Sequence, residues 1–419
     1  MMSDRLKALK QKSDDLGLPS LLPRPWCQLK APAADDQIIR VMQWNVLAQA
    51  LSKGEDNFVL CPGKALQWEV RRVRLIEEIL TRTPGIVCLE EVDMMTHFNA
   101  ELSQVGYEGL FFSKLWSPCL DVQDNSGPDG CAIFYLKDRL TLLSHDDIKI
   151  YVPPGRTLCN QVGLLATFSQ KCVSQPRAFH VVVTHLKAKS GYEDLRRKQA
   201  EYLTDWVWQR VGEEPVIICG DFNGQPTEPF YEVMQNSKLN LTSVYRLLTQ
   251  GHQEPPYTTW KVRGMVNGQA KVIVEEQHMT KVIGEKQETA EVKREEQRKA
   301  EAKGEEQRKA EIKREEQRKA EIKREEQRKA EVKREEQRKA EVKSEEQQRQ
   351  EVKETVQGRR IATTESCSTI DYIWLSEGQF SALGLLGLPR EQDIGSGRLP
   401  SLAYPSDHLS LVCDLILKN

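Results

Sequence analysis

Six consecutive ten-residue blocks of the type EIKREEQRKA occupy residues 291–350, and they separate what this chain can bury from what it cannot. A ten-residue period advances a helix by about 1000°, or roughly −80° after whole turns, so the lone Val or Ile of a block spirals around the rod and forms no seam. A conventional long coiled coil is therefore disfavoured. The blocks do offer ion pairs, Glu295 with Lys299 at i,i+4 and Glu296 with Lys299 at i,i+3, worth about 0.2–0.5 kcal/mol each. The expectation is a solvated single helix or helical hairpin, with disorder as the alternative. A straight rod of roughly 70 residues would be about 105 Å long, and the thirty or so residues left, at about 3.5 Å each, could barely span the return. A break is expected, and Gly304 is a candidate for it.

Setting aside residues 264–364 leaves about 315 residues, a size suited to one large α/β domain with a tail. That domain is expected to be discontinuous, residues 37–263 and 365–419, preceded by a flexible arm over 1–36 with a short helix over 4–13. The net charge of −2 implies no global steering field, because the repeats are dense in both signs. None of the ten cysteines forms a Cys-x-x-Cys pair, and those in IVCLE and VIICG sit in apolar runs, which favours a reduced cytosolic or nuclear setting over a disulfide framework. No apolar run is long enough to span a membrane. The first 25 residues lack the long apolar core of a signal peptide and carry acids at Asp4, Asp14 and Asp15.

Outside the repeats, strand-like and helix-like periods alternate. QIIRVMQWNV, GIVCLEEV, CAIFYL, QVGLLATF, AFHVVVTHL and PVIICGD predict buried strands, as do Thr369 to Leu375 and Leu409 to Leu415. WEVRRVRLIEEILTR and the stretch from about Tyr192 to Arg210 predict amphipathic helices. Strands both interleaved with helices and directly consecutive predict mixed sheets covered by helices.

Polar residues cluster where the apolar runs stop. Asn45 follows VMQW, Glu91 follows IVCLE, His185 follows VVVT, Asp221 and Asn223 follow VIICG, Asp371 interrupts TIDYIW, and Asp407 with His408 precedes LSLVCDL. Taken singly, an Asn or Asp beside Gly is ordinarily a turn former and a strand-end His an ordinary hydrogen-bonding residue. Jointly they supply what one cleft at the strand ends would need: a hard-cation ligand, a carboxylate able to deprotonate water, amides to orient water and phosphate, and two imidazoles. Carboxylate and amide oxygens suit Mg²⁺, whereas the histidines have neither the spacing nor the Cys partners of a zinc site. No Gly-rich nucleotide loop is present.

The motifs WN (44–45), LEEVD (89–93), THLKA (184–188), GDFN (220–223), IDYIW (370–374) and SDH (406–408), in this order, resemble the endonuclease/exonuclease/phosphatase superfamily. KLWSPCLDV, NSGPDGCAIFY, EPPYTTWKV and LPSLAYPSDHLSLVCD resemble its nocturnin branch, related to the catalytic domains of CCR4-type deadenylases. The resemblance covers about residues 37–263 and 365–417. It implies a four-layer α/β sandwich of two mixed sheets flanked by helices, and a Mg²⁺-dependent phosphoesterase. Carried across residue by residue, it implies Glu91 as principal metal ligand, supported by Asn45, with Asp407 near the metal. Asp221 would activate water, Asn223 would orient water or phosphate, and His185 would contact the phosphate. His408 would stabilise or protonate the developing oxyanion, oriented by Asp371.

Two departures from the family pattern stand out. Glu90 replaces a usual Gln, an extra acid that would either alter metal affinity or point away, and the charged insertion is not part of the usual pattern. The nocturnin resemblance implies NADP⁺ or NADPH as substrate, losing its 2′-phosphate, with Lys114, Lys187 and Lys189 as candidate phosphate contacts. Lys189 stands where that branch tends to carry Arg, which would lose a bidentate fork. The wider branch implies poly(A) RNA, but the core carries no evident basic track interleaved with aromatics. A third reading is a non-catalytic scaffold acting through a protein partner of the insertion. By resemblance the protein is expected in the cytoplasm, with mitochondrial or nuclear pools.

Overall fold

The computed structural model of the protein describes residues 2–418, apart from 34–36, 54–57, 153–156, 172, 174 and 265–362. The expected helix or hairpin of the charged repeats lies outside the described residues.

The apolar runs form two mixed sheets. In chain order the strands are β1 (Trp26–Gln28), β2 (Ile39–Asn45), β3 (Ile86–Glu90), β4 (Tyr107–Ser113), β5 (Gly130–Leu136), β6 (Leu140–Val152), β7 (Thr157–Gln170), β8 (Ala178–His185), β9 (Val216–Asp221), β10 (Leu241–Ser243), β11 (Thr259–Gly264), β12 (Thr363–Ser368), β13 (Asp371–Ser376), β14 (Phe380–Leu386) and β15 (Leu411–Leu417). One sheet has seven strands in the order β1-β14-β15-β2-β3-β5-β4, the other six in the order β10-β13-β9-β8-β7-β6, and β11 with β12 makes a separate ribbon. β2 runs parallel to β3 and β8 to β9, and the remaining pairings are antiparallel.

Side chains alternate across each strand, and both faces of both sheets are covered. Val41, Ile86, Cys88, Ile133, Val181, Val183, Ile217, Cys219, Ile373 and Leu411 fill the layer between the sheets. Met42, Trp44, Val87 and Leu89 face the opposite way, against α3 (Trp68–Arg82) and α4 (Met95–Leu102). Val182, Val216, Ile218, Tyr372 and Trp374 pack under α5 (Glu193–Val211) and α6 (Pro229–Gln235). Helix, sheet, sheet, helix is the four-layer sandwich expected from the sequence. Among the described residues no helix is long and apolar enough to cross a membrane.

The N-terminal segment holds the short helix expected over 4–13, but the helix is packed on the domain and not part of a flexible arm. Residues Met2–Asp15 form α1, with Leu9 buried and Met2, Leu6 and Leu16 packed on the same core cluster. These four residues recur at i, i+4, i+7 and i+14, a helical stripe masked in the sequence by the charges between them. Ser13 Oγ donates to Glu77 Oε2 at 2.8 Å, and Arg74 of α3 donates to the Pro19 carbonyl. β1 then closes the seven-stranded sheet against β14.

Gly264 and Thr363 lie directly opposite each other in the β11-β12 ladder. A two-residue Asn-Gly turn should therefore replace residues 265–362 without moving either strand. The shortened protein is expected to unfold cooperatively at a temperature no lower than the parent, because the entropy of closing a long loop is removed. A lowered midpoint or non-cooperative melting would show that the excised residues hold the sandwich together.

Candidate active site

The inter-sheet face ends in polar residues on every strand that reaches one end of the sandwich. On β2 the inward positions run Val41, Gln43, Asn45; on β3 Ile86, Cys88, Glu90; on β8 Val181, Val183, His185; on β9 Ile217, Cys219, Asp221. β13 runs antiparallel to β9 and starts at Asp371, level with Asp221, while His185 lies level with Asp221 on the other side. The residues expected from the strand ends are thus brought together by parity and register.

Asp221 is at the centre. Its carboxylate accepts from Asn45 Nδ2 at 2.9 Å and lies 3.6 Å from His185 Nε2 and 3.8 Å from His408 Nδ1. Burial raises its pKa to about 7, reinforced by Asp371 and opposed by His408 and Asn45. His408 Nδ1 bonds both oxygens of Asp371, at 3.1 and 3.0 Å. Burial pulls the His408 pKa down, but Asp371, Asp407 and Asp221 outweigh it and raise it to about 9, so the ring is a cation at neutral pH. Asp371 is fixed in turn by Thr258 Oγ1 at 2.6 Å and Gln43 Nε2 at 3.2 Å.

Asn223 reaches the cleft by a different path from simple alternation. Its φ is +52°, and its N–H donates to Asp221 Oδ1 at 2.9 Å, so GDFN is a side-chain-closed turn as well as part of the site. Asn223 Nδ2 then contacts His185 Nε2 at 2.8 Å and donates to the Leu186 carbonyl at 3.1 Å. An amide N–H toward Nε2 assigns the His185 proton to Nδ1, 3.5 Å from Lys114 Nζ. Burial and the nearby Lys114 push the His185 pKa far down, so this imidazole is neutral. An ammonium and an imidazole N–H meeting at that distance offer two donors to one anion.

The flanking glycines serve the protein and not a ligand. A Cβ on Gly220 would lie 2.3 Å from the Thr184 carbonyl oxygen, and one on Gly224 would lie 2.5 Å from the Phe230 ring.

Glu91 also escapes strand parity. With φ of +56° it turns back toward Asn45, whose Nδ2 donates to Glu91 Oε1 at 3.2 Å, while Ala48 N–H donates to Oε2 at 3.1 Å. Below this loop Arg71 of α3 is fully buried and donates to the Val46, Leu47 and Pro405 carbonyls and to Gln49 Oε1. It ties together the two loops that carry Asn45 and Asp407. Burial lowers the Arg71 pKa to about 10, with Asp93, Asp407 and Glu91 opposing, so it stays charged. Asp407 pairs with Lys261 of β11. Burial alone would raise its pKa, but Lys261 and His408 hold it well below the ordinary range.

Among the described residues, Asp221, Asp371 and His408 bring ligand atoms within 4.8 Å of one another. A protonated His408 already bonded to Asp371 is a poor ligand, so this trio is better read as a proton-handling group. Glu91 fits a hard divalent cation better. It is half-buried, its carboxylate has lone pairs left beyond Asn45 and Ala48, and Asp407 Oδ1 nearby is buried without a partner.

The candidate lysines differ in setting. Lys114 is buried against Asp129 at 2.6 Å; burial would lower its pKa, but Asp129 and Glu91 outweigh that and raise it to about 12. Lys187 lies 4.8 Å over the Tyr192 ring, and Lys189 is exposed on a loop whose 187 and 189 carbonyls accept from Arg196.

Residues 42–408 match the endonuclease/exonuclease/phosphatase family. This chain belongs to that family. It is 36% identical over 403 residues to nocturnin of Xenopus laevis, covering 94% of this chain and 77% of that protein. It is 37% identical over 381 residues to nocturnin of Mus musculus, covering 90% of this chain and 65% of that protein. The chain thus spans a little under two thirds of the mouse relative. The human nocturnin catalytic domain, solved with bound sulfate, superposes with a TM-score of 0.60 at 30% identity, covering 94% of this chain and 98% of that one. As a family member with this site, the protein is a metal-dependent hydrolase of the nuclease and phosphatase type.

Within that family frame, Glu90 has a place of its own. It occupies the last inward position of β3, fully buried, and accepts from Gln43 Nε2 at 2.8 Å. Burial, then Asp371 and Asp221, push its pKa far above the usual range, so Glu90 is a neutral acid standing in for an amide. Gln43, Arg71, Thr258 and Lys261 were not singled out by the sequence. Gln43 shares the parity of Asn45, the one signal that marks it; nothing in the helical pattern separates Arg71 from Arg72.

An acid whose folded pKa is raised stabilises the fold least once the pH exceeds its unfolded pKa of about 4.3. Glu90→Gln should therefore raise the melting temperature in metal-free buffer at pH 8 by several degrees and by less at pH 5. An equal shift at both pH values would mean that Glu90 is not neutral in the native protein.

Proposed function

We propose that this protein is a Mg²⁺-dependent phosphatase that removes the 2′-phosphate of NADP⁺ and NADPH, giving NAD⁺ and NADH. The observation that carries the hydrolytic reading is the single amide of Asn45, which holds Glu91 on one side and Asp221 on the other. The cation-side carboxylate and the water-activating carboxylate are thereby fixed relative to one another. Similarity to nocturnins supports the dinucleotide, and the short set of cations Lys114, Lys187 and Lys189 suits a compact substrate with several phosphates better than a long strand.

In this reading Glu91, with Asn45 and Asp407 beside it, would hold Mg²⁺. A cation bound there would supply neutralisation of phosphoryl oxygens and polarisation of the phosphorus. Lys114 and the Nδ1–H of His185 bind a phosphate oxygen. Asp221 takes a proton from a water positioned by Asn223 as that water attacks phosphorus in line. His408, held as a cation by Asp371, donates to the departing ribose oxygen. Each role uses the protonation state the surroundings impose: a base near 7, an acid near 9, a neutral His185.

Phosphate release from NADP⁺ and NADPH should require Mg²⁺ and follow a bell-shaped pH profile. It should rise as Asp221 ionises through about 7 and fall as His408 deprotonates through about 9. Asp221→Asn should lower kcat by at least about 10²-fold, and Glu91→Ala should abolish Mg²⁺-dependent turnover. Trimming of oligo(A) with no release from NADP⁺ would instead favour a deadenylase. Inactivity on both, with a partner retained only when residues 291–350 are present, would favour a scaffold.

A further inference from the structure

Two residues after Lys114 the chain presents an exposed indole between two immobilised neighbours. Lys114 is tied to Asp129 through both its backbone N–H and its ammonium. Ser117 Oγ donates to Asp129 Oδ1 and accepts from the N–H groups of Cys119 and Asp129. Lys114 and Ser117 are buried, yet Trp116 between them is 54% exposed. Its backbone is pinned on both sides by one amide: Trp116 N–H donates to Asn160 Oδ1 at 2.8 Å, and Asn160 Nδ2 donates to the Trp116 carbonyl. An exposed aromatic normally gains nothing from so rigid a backbone, and this rigidity is what a preorganised binding surface needs.

The position fits a nucleotide. Gln161, next to Asn160 on β7, accepts from Gln199 Nε2 at 2.8 Å, and Gln199 Oε1 accepts from the Lys187 N–H at 3.0 Å. Trp116 is therefore anchored beside the strand end that presents His185 and Lys187. Its Cα is within about 7 Å of that of Lys114, whose amine approaches His185. Leu115 and Leu120 on the same loop are also exposed, extending an apolar surface next to the anion-binding pair.

We propose that Trp116 is the stacking platform for the nucleobase of the nucleotide whose phosphate Lys114 and His185 hold. The inference rests on the phosphoesterase reading and deepens it by fixing where the base lies. An indole face accepts any base, so the platform sets affinity for a nucleoside over a bare phosphate and leaves base identity to other contacts.

Calorimetry with Mg²⁺ on the full-length Asp221→Asn protein separates binding from turnover. NADP⁺, 2′-AMP, oligo(A) and inorganic phosphate are the probes, with Trp116→Ala, Trp116→Phe or Asn160→Ala added. Trp116→Ala should lower the ratio of NADP⁺ affinity to phosphate affinity about tenfold, Trp116→Phe should restore most of it, and Asn160→Ala should fall between. A platform serving an RNA base would show the same loss in the oligo(A) ratio in place of the NADP⁺ ratio. Ratios unchanged for every nucleotide, or no nucleotide binding at all, overturn the platform. Failure of the dinucleotide reading alone is seen separately, as the absence of phosphate release from NADP⁺ by the wild-type protein.

Discussion

Two sheets packed face to face must fill the layer between them, and at one end of this sandwich the filling changes from apolar to polar on five strands at once. Ile217, Cys219 and Asp221 share one face of β9, so the packing that buries the first two dictates where the third points. The same holds for Val183 and His185 on β8 and for Ile373 and Asp371 on β13. A one-residue slip in any of these strands would turn its site residue out of the cleft and its core residues with it. Site geometry and core packing are therefore one constraint, enforced by the hydrophobic effect at positions that never meet a substrate.

That arrangement concentrates charge. With Glu90 neutral, the buried and half-buried acids at this end are Glu91, Asp93, Asp129, Asp221, Asp371 and Asp407, against the cations Arg71, Lys114, Lys261 and His408. With half-buried Lys187 added to the cations, the acids still outnumber them once Asp221 ionises, which favours a divalent cation. The cations are also placed where repulsion would otherwise be greatest. Arg71 lies under the loops of Asn45 and Asp407, Lys261 pairs with Asp407, and His408 is bonded to Asp371. Beside the central carboxylates Leu47, Glu91 and Asn223 have positive φ, as does Lys189 on its loop. Strained backbone persists where surrounding bonds over-determine it, and here the Asn45, Asp221 and Arg71 side chains supply those bonds.

Alternation made the strand ends legible in the sequence, because period-2 patterning marks both the buried face and its last polar member. It marked Glu91 and Asn223 as polar residues after apolar runs but could not give their orientation, which comes from left-handed turns; their roles came from motif resemblance. Arg71 and Lys261 were missed because a cation in an amphipathic helix or a strand looks solvated until the acids it faces are located. Nor does the sequence show what Gly220 and Gly224 admit, the Thr184 carbonyl and the Phe230 ring. The N-terminal helix was expected, but its docking was hidden for a related reason, since four apolar residues among many charges make a weak stripe until α3 covers them.

The ribbon β11-β12 is where the insertion and the chemistry come nearest in sequence. Thr258 bonds Asp371, Thr259 Oγ1 donates to the Asp407 carbonyl, and Lys261 pairs with the Asp407 side chain, so three of the first four side chains of this segment reach the site. Gly264 and Thr363, where the described chain stops and resumes, face each other across the ladder. Five residues of strand separate Thr259 from that point, about 17 Å at 3.3–3.4 Å per residue. An insertion entering and leaving at opposed ladder positions imposes no demand on the residues behind it, because the ladder bonds already fix both ends. This is why the motif before the insertion and the motif after it can still meet at Asp371, although about a hundred residues of sequence lie between them.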